Sequence, residues 1–181
     1  MKISLKTKIA FWWWQRFRFK EPENKFQKIS TLGKGVRSLL IILPREKSYL
    51  PLAQHFLKSL TSRGQFSAIN KIIGWEEQKD ILDPQLLHRV QLISQNDINK
   101  YGLLYDKSIK KITKGQFNGV INLDPIFHPV SYQLVSWFSS IPRIGFSSEL
   151  GRDIYNIIID SNNGANYIEQ GYEYILEVLG L

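Results

Sequence analysis

The spacing of apolar and polar positions changes several times along the chain, and each change marks an element. Residues 38–43, SLLIIL, are a nearly unbroken apolar run rich in Leu and Ile, the pattern of a strand buried on both faces, and Pro44 ends it. Tyr49, Ala53, Phe56, Leu57 and Leu60 then recur at helical spacing, so residues 49–60 read as a helix that Arg63-Gly64 stops. Residues 66–73 read as a second strand, 90–94 as a third, 103–112 as a helix with a weaker stripe, and 117–123 as a fourth strand. A helix follows over 129–139, with Val130, Leu134, Trp137 and Phe138 on one face, and 143–146 and 155–159 are short strands. Asn162-Asn163-Gly164 marks a turn, after which Ile168, Tyr172, Ile175, Leu176 and Leu179 form the buried stripe of a closing helix.

Strands interleaved with helices predict an α/β protein: a single Rossmann-like domain over residues 36–181, with a mostly parallel sheet flanked by helices. Ahead of it, residues 1–35 form a basic, aromatic N-terminal segment joined through a hinge at Gly33-Lys34-Gly35. At 181 residues one such domain buries enough surface to need neither metal nor crosslink. The chain has no cysteine, which excludes disulfides, thiolate metal sites and cysteine nucleophiles.

Charge separates the two parts. Residues 1–37 hold ten Lys and Arg against Glu21 and Glu23 and so carry the whole net charge of +8, whereas the rest balances fourteen against fourteen. An anionic partner, phospholipid or nucleic acid, is therefore expected for the leader alone. Its apolar run from Ile9 to Trp14 is too short for a secretory signal and lacks a cleavage site, and no later run reaches the length of a spanning helix. The expected location is cytoplasmic, with at most peripheral attachment to the inner membrane.

Motifs that would announce a catalytic site are few. Gly33-Lys34-Gly35 precedes a strand instead of following one and lacks the phosphate-loop spacing, and no Gly-x-Gly-x-x-Gly occurs, so no nucleotide cofactor is expected. His55, His88 and His128 are too scattered for a metal site. His128 nevertheless follows Asp124-Pro125 at the C-terminal end of a predicted central strand, where open α/β sheets bind ligands. Asp124 is not the phosphoacceptor of a receiver domain, because the first strand leads into Pro44-Arg45-Glu46-Lys47 and not into an acidic pair.

The stretch FNGVINLDPIFHPVSYQLVSWFSSIPRIGFSS, residues 117–148, resembles the acceptor half of glycosyltransferase family 9, the lipopolysaccharide heptosyltransferases. The resemblance rests on a strand of the type Phe-Asp-x-Val-Ile-Asp-Leu, the segment Arg143-Ile144-Gly145-Phe146, the pair Tyr155-Asn156 and the closing YILEVLGL. Leu50-Pro51 in LLIILPREKSYLPLAQHFLKSL resembles that of the family's first helix. It implies a pocket over the C-terminal ends of the strands, near Arg45, Glu46, Lys47, Asp124, His128 and Arg143, whose cations receive sugar phosphates or carboxylates.

Two departures from the family's pattern change the chemistry to expect. The family's Gly-Asp, whose Asp is the presumed base, is absent from the first strand-to-helix loop, leaving Glu46 as the one candidate catalytic carboxylate, with a surface ion pair as its alternative. The family's second, donor-gripping domain has no counterpart within these residues. Where the family strand carries Asp, this one has Asn118 and Asn122, which cannot take up a proton; drift at surface positions explains them equally.

The resemblance thus implies a non-catalytic acceptor-type domain that binds a lipid-linked glycan or its biosynthetic enzymes. The alternative is the acceptor subunit of a split hexosyl or heptosyl transferase that works with a separate donor-domain chain; homo-oligomerisation stays open. For the leader KIAFWWWQRFRFK, residues 8–20, the same resemblance suggests a membrane tether, with Trp12, Trp13, Trp14 and Phe17 at headgroup depth and Arg16 and Arg18 on anionic lipid. On a helical wheel Ile9, Ala10, Trp13, Trp14 and Phe17 share an arc, Lys6 intrudes on it, and Trp12 lies opposite. The competing readings are a helix folded back over the sheet or onto a second subunit, and a nucleic-acid surface of stacked aromatics and Arg, which the neutral body disfavours.

Overall fold

A computed structural model describes residues 4–18, 38–62, 69–146, 148, 154–159 and 165–179. The expected hinge at Gly33-Lys34-Gly35 and turn at Asn162-Asn163-Gly164 lie outside them. Six strands, β1 (Leu39–Ile42), β2 (Ile69–Trp75), β3 (Val90–Ile93), β4 (Gly119–Asn122), β5 (Arg143–Phe146) and β6 (Ile157–Ile159), form one sheet. Its order is β3-β2-β1-β4-β5-β6 and every pairing is parallel, giving the expected α/β Rossmann-like domain. Among the described residues five α-helices accompany it: α1 (Leu5–Arg18), α2 (Leu50–Ser62), α3 (Asp106–Ile112), α4 (Pro129–Ser136) and α5 (Ala165–Leu179).

The strand alternation divides the core into two layers. Leu39, Ile41 and Leu43 point to α2 and α5, where Phe56, Leu57, Leu60, Tyr172 and Ile175 cover them. Leu40 and Ile42 point to the other face, against Ile109 of α3, Val130 and Leu134 of α4, and Phe11 of α1. Both faces of β1 are fully buried, which accounts for its unbroken apolar run. Helix α5 comes close through Gly171, where a β-carbon would lie 2.9 Å from both Phe146 and Ile159.

Several boundaries differ from the expected ones for identifiable reasons. Helix α3 starts at Asp106, because Leu104 instead bridges Ile98 and Tyr105 returns its N–H to Asp97. Helix α4 ends at Ser136, so Trp137 is 46% exposed and is not part of the core stripe. Strand β2 extends to Trp75, beyond the expected end at Ile73, because the Trp75 indole N–H donates to the Leu43 carbonyl at 3.2 Å and closes the strand against β1.

The leader forms a helix whose buried side meets the wheel's arc only at Ala10 and Trp14, while Trp12, opposite that arc on the wheel, joins its exposed members Ile9, Trp13 and Phe17. Phe11 is the buried residue, set edge-on against Phe127 at 5.1 Å and Tyr132 at 6.4 Å, with Ala10 and Trp14 partly buried beside it. Trp12, Trp13 and Phe17 all project into solvent. Among the described residues no helix is long and apolar enough to cross a membrane.

Candidate functional site

The strand order reverses direction between β1 and β4, the place where the loops leaving two parallel strands part and open a crevice at their C-terminal ends. Pro44-Arg45-Glu46 leaves β1 there, and Leu123-Asp124-Pro125 leaves β4 beside it. The two loops are tied by Asp124: its Oδ2 accepts the backbone N–H of Arg45 at 3.2 Å, and its Oδ1 accepts that of Ile126 at 3.1 Å. Asn122 supports the second loop from below, accepting the Asp124 N–H at 3.1 Å and donating to the Tyr155 hydroxyl at 2.6 Å.

Arg45 folds over the tied loops. Its guanidinium lies 4.9 Å from the Trp75 ring, its Nε donates to Glu77 Oε1 at 3.2 Å, and its Nη1 is 2.5 Å from His128 Nε2. A guanidinium only donates, so His128 Nε2 is the acceptor and the imidazole is neutral, with its proton on Nδ1. That Nδ1 is buried without a hydrogen-bond partner among the described residues. The His128 ring also meets Trp75 edge-on at 4.7 Å. Gln78, fully buried, donates to the carbonyls of Pro44 at 2.6 Å and Arg45 at 3.0 Å and holds the loop's backbone from beneath.

Burial sets the protonation of this group. It pushes the Asp124 carboxyl up to about 7, with Glu46 adding to the effect, against the opposing pull of two backbone N–H donors and the Arg45 charge. It pushes His128 down to about 3, with the adjacent Arg45 cation acting in the same direction. The crevice therefore presents Arg45, a partly exposed cation paired with Glu77, above a neutral imidazole and a carboxyl that changes charge near neutrality. Because both carboxyl oxygens face backbone N–H groups and Asp124 is only 3% exposed, its proton is not offered to a molecule at the crevice mouth.

Of the sequence-predicted ligand residues, Arg45, Asp124 and His128 meet here, and Glu46 and Lys47 follow in the same loop, Lys47 exposed to solvent. Arg143 does not join them. It is the first residue of β5, level with Val120, with its guanidinium buried and its Nε directed at Asn156 Oδ1 at 3.3 Å. Burial lowers it to about 10, and its two terminal nitrogens have no hydrogen-bond partner among the described residues. The expected position over the C-terminal strand ends is corrected accordingly: a residue opening a strand lies toward the other end of the sheet.

Asn122 is fully buried, so drift at a surface position does not explain it. Asn118 Oδ1 accepts the Ser38 N–H at 2.9 Å and fastens the entry to β1. Trp75, Glu77 and Gln78 were not apparent from the sequence. Their signal was positional: Trp75 ends the strand beside β1, and in a parallel sheet neighbouring strand ends share one rim.

A groove of about 810 Å³ opens at the opposite, N-terminal ends of β1 and β2, lined by Ser38, Asn70, Arg89, Gln116 and Asn118. Its polar groups serve the fold: Arg89 Nη1 donates to the Ile69 carbonyl at 2.6 Å and Asn70 Nδ2 to Ser38 Oγ at 2.9 Å. Among the described residues no cluster of His, Asp and Glu could hold a metal ion. The chain matches no model of a known protein family and no curated protein.

Proposed function

We propose that this chain is a heptosyltransferase-like acceptor domain that holds an anionic glycan, such as a lipid-linked sugar bearing phosphate or carboxylate, in the crevice between β1 and β4, without transferring a sugar to it by itself. The observation that carries this reading is Arg45, a cation fixed at the rim of the switch-point crevice by Trp75, His128 and Glu77. A guanidinium held by its neighbours keeps a fixed orientation, which suits planar recognition of phosphate or carboxylate. Lys47, exposed in the same loop, adds a second positive charge.

Binding without transfer is supported by the state of Asp124. Sugar transfer to a hydroxyl needs a base within hydrogen-bond reach of that hydroxyl. Asp124 has a suitable proton affinity, yet both its oxygens are committed to holding the two loops together. The carboxyl thus shapes the crevice. Glu46 remains the proposed alternative base if the domain works as one half of a split transferase.

The test is a nitrogen–proton NMR titration with a monosaccharide phosphate and a uronic acid. Both ligands are expected to shift the Trp75 indole N–H and the backbone amides of residues 45–47, and Arg45→Ala is expected to abolish the shifts. Saturating ligand that leaves these resonances unmoved would overturn the reading. Transfer from an activated sugar by the purified chain would leave the site assignment in place and overturn the non-catalytic role.

A further inference from the structure

Helix α1 has two sides of different kinds. One is seated on the body: Phe11 packs on Phe127 and Tyr132, and the Thr7 side chain lies against Gly102. The opposite side carries Leu5, Ile9, Trp12, Trp13 and Phe17, each more than half exposed. At 3.6 residues per turn these five share one side of a helix about 21 Å long. Trp13 and Phe17 pack on each other at 4.5 Å, one turn apart. An exposed apolar face of this size on a helix already fixed by its other side marks an interaction surface.

Charge decides what kind of surface it meets. Helix α1 contains no acidic residue; exposed Lys6 and Arg16 are interspersed among the apolar residues of this face, and exposed Lys8 lies at its border. A second copy of the helix laid on this face would set cations against cations. Stacking on nucleic-acid bases needs free aromatic faces, and one face of Trp13 is taken by Phe17. An anionic bilayer meets both features at once: indole is accommodated at headgroup depth, and long Lys and Arg side chains extend from among the aromatics to phosphate.

We infer that the outer face of α1 is an interfacial membrane-docking surface, which lays the helix flat on an anionic lipid headgroup layer with Trp12, Trp13 and Phe17 inserted and Lys6, Lys8 and Arg16 on lipid phosphates. The same seating links the surface to the crevice. Phe127, on which Phe11 rests, adjoins His128, whose ring contacts Arg45. A docked α1 therefore brings the crevice mouth close to the bilayer surface. The inference stands whether or not the crevice binds a glycan.

The experiment uses the full chain with vesicles of phosphatidylcholine alone and of phosphatidylcholine with 30% phosphatidylglycerol (about a third anionic lipid, the regime of a cytoplasmic leaflet). The wild-type protein is expected to co-sediment with the anionic vesicles, with blue-shifted tryptophan emission and release by high salt. Trp12→Ala/Trp13→Ala/Phe17→Ala and, separately, Lys8→Glu/Arg16→Glu are each expected to weaken partitioning at least tenfold. Both sets lie in solvent, and an unchanged circular dichroism melt confirms the fold. Three results would overturn the inference: wild-type protein that stays in the supernatant, variants that pellet like wild type, or an outer face that instead drives dimerisation removed by the same substitutions. Soluble phosphorylglycerol that fails to compete distinguishes a bilayer surface from a free phosphate site; full competition by it would also overturn the inference.

Discussion

Tyr155 lies flat against Gly145, so close that a β-carbon on the glycine would overlap the phenol ring. The hydroxyl of that ring takes the hydrogen bond of Asn122, which in turn holds Asp124. A side chain absent on β5 thereby positions a carboxyl beyond the end of β4. Gly145→Ala is expected to lower stability by about 1–3 kcal/mol through overpacking. It should also perturb the Asp124 resonances, whereas a purely local clash would leave them in place. Urea denaturation and carboxyl-detected NMR check the two parts.

His128 makes the fold sensitive to acid. Its folded-state value lies below its ordinary one, so the stability it contributes is fully present above about pH 6.5 and is lost as the pH falls toward 3. The imidazole signals of His128 are expected not to titrate between pH 8 and 5. His128→Gln should lose less stability than wild type when urea midpoints at pH 7 and pH 4.5 are compared. A steeper loss in the variant would show that the buried imidazole is not the acid-sensitive group.

Asp124 acts with the opposite sign. Its folded-state value is raised from 3.8 to about 7, so its contribution is complete below about pH 4 and is lost as the pH rises through 7. Asp124→Asn removes this alkaline loss but also one acceptor for the Arg45 or Ile126 N–H, at about 1–3 kcal/mol. The variant is therefore expected to be less stable than wild type at pH 4.5, with the gap narrowing at pH 8. A gap that widens with pH would contradict the raised value.

Phe11 is the buried anchor of α1. Phe11→Ala should free the helix while the sheet stays cooperative. Hydrogen exchange is expected to accelerate across residues 5–18 and to stay slow in β1 and β4. Equal acceleration everywhere would mean that α1 is integral to the core.

The Tyr172 hydroxyl donates to the Leu123 carbonyl at 2.6 Å, at the point where β4 gives way to the Asp124 loop. Tyr172→Phe leaves that buried carbonyl without this donor and is expected to cost about 1–3 kcal/mol in denaturant unfolding. A neutral substitution would show that the helix–loop contact is held by packing alone.

Elements whose apolar pattern answers to two full neighbours were readable in the chain: β1, α2 and α5 lie close to where periodicity put them. Residues 76–89 were not, because they are built of short 3-10 turns held by tertiary hydrogen bonds such as that from the Asp83 N–H to Gln54 Oε1, and these leave no period. The rim residues Arg45, Asp124 and His128 were visible because they follow apolar strands. Trp75 was hidden because an indole at a strand end looks like ordinary core until the neighbouring strand is known, and Gln78 because it lies in a 3-10 turn that leaves no period. For α1 the wheel found the aromatic arc and could not say which side had a body to rest on. The side with fewer aromatic residues is the one that is seated.

The central place of β1 bears on how the chain is made. During synthesis β1 can pair with β2 once residue 75 has emerged, but its other edge must wait for β4, completed at residue 122. In the interval the growing polypeptide displays a bare, strongly apolar strand edge, the kind of template that recruits other nascent chains. Ribosome-bound chaperones should therefore matter most for this protein while residues 76–122 are emerging, and pausing in that window should send it to inclusion bodies.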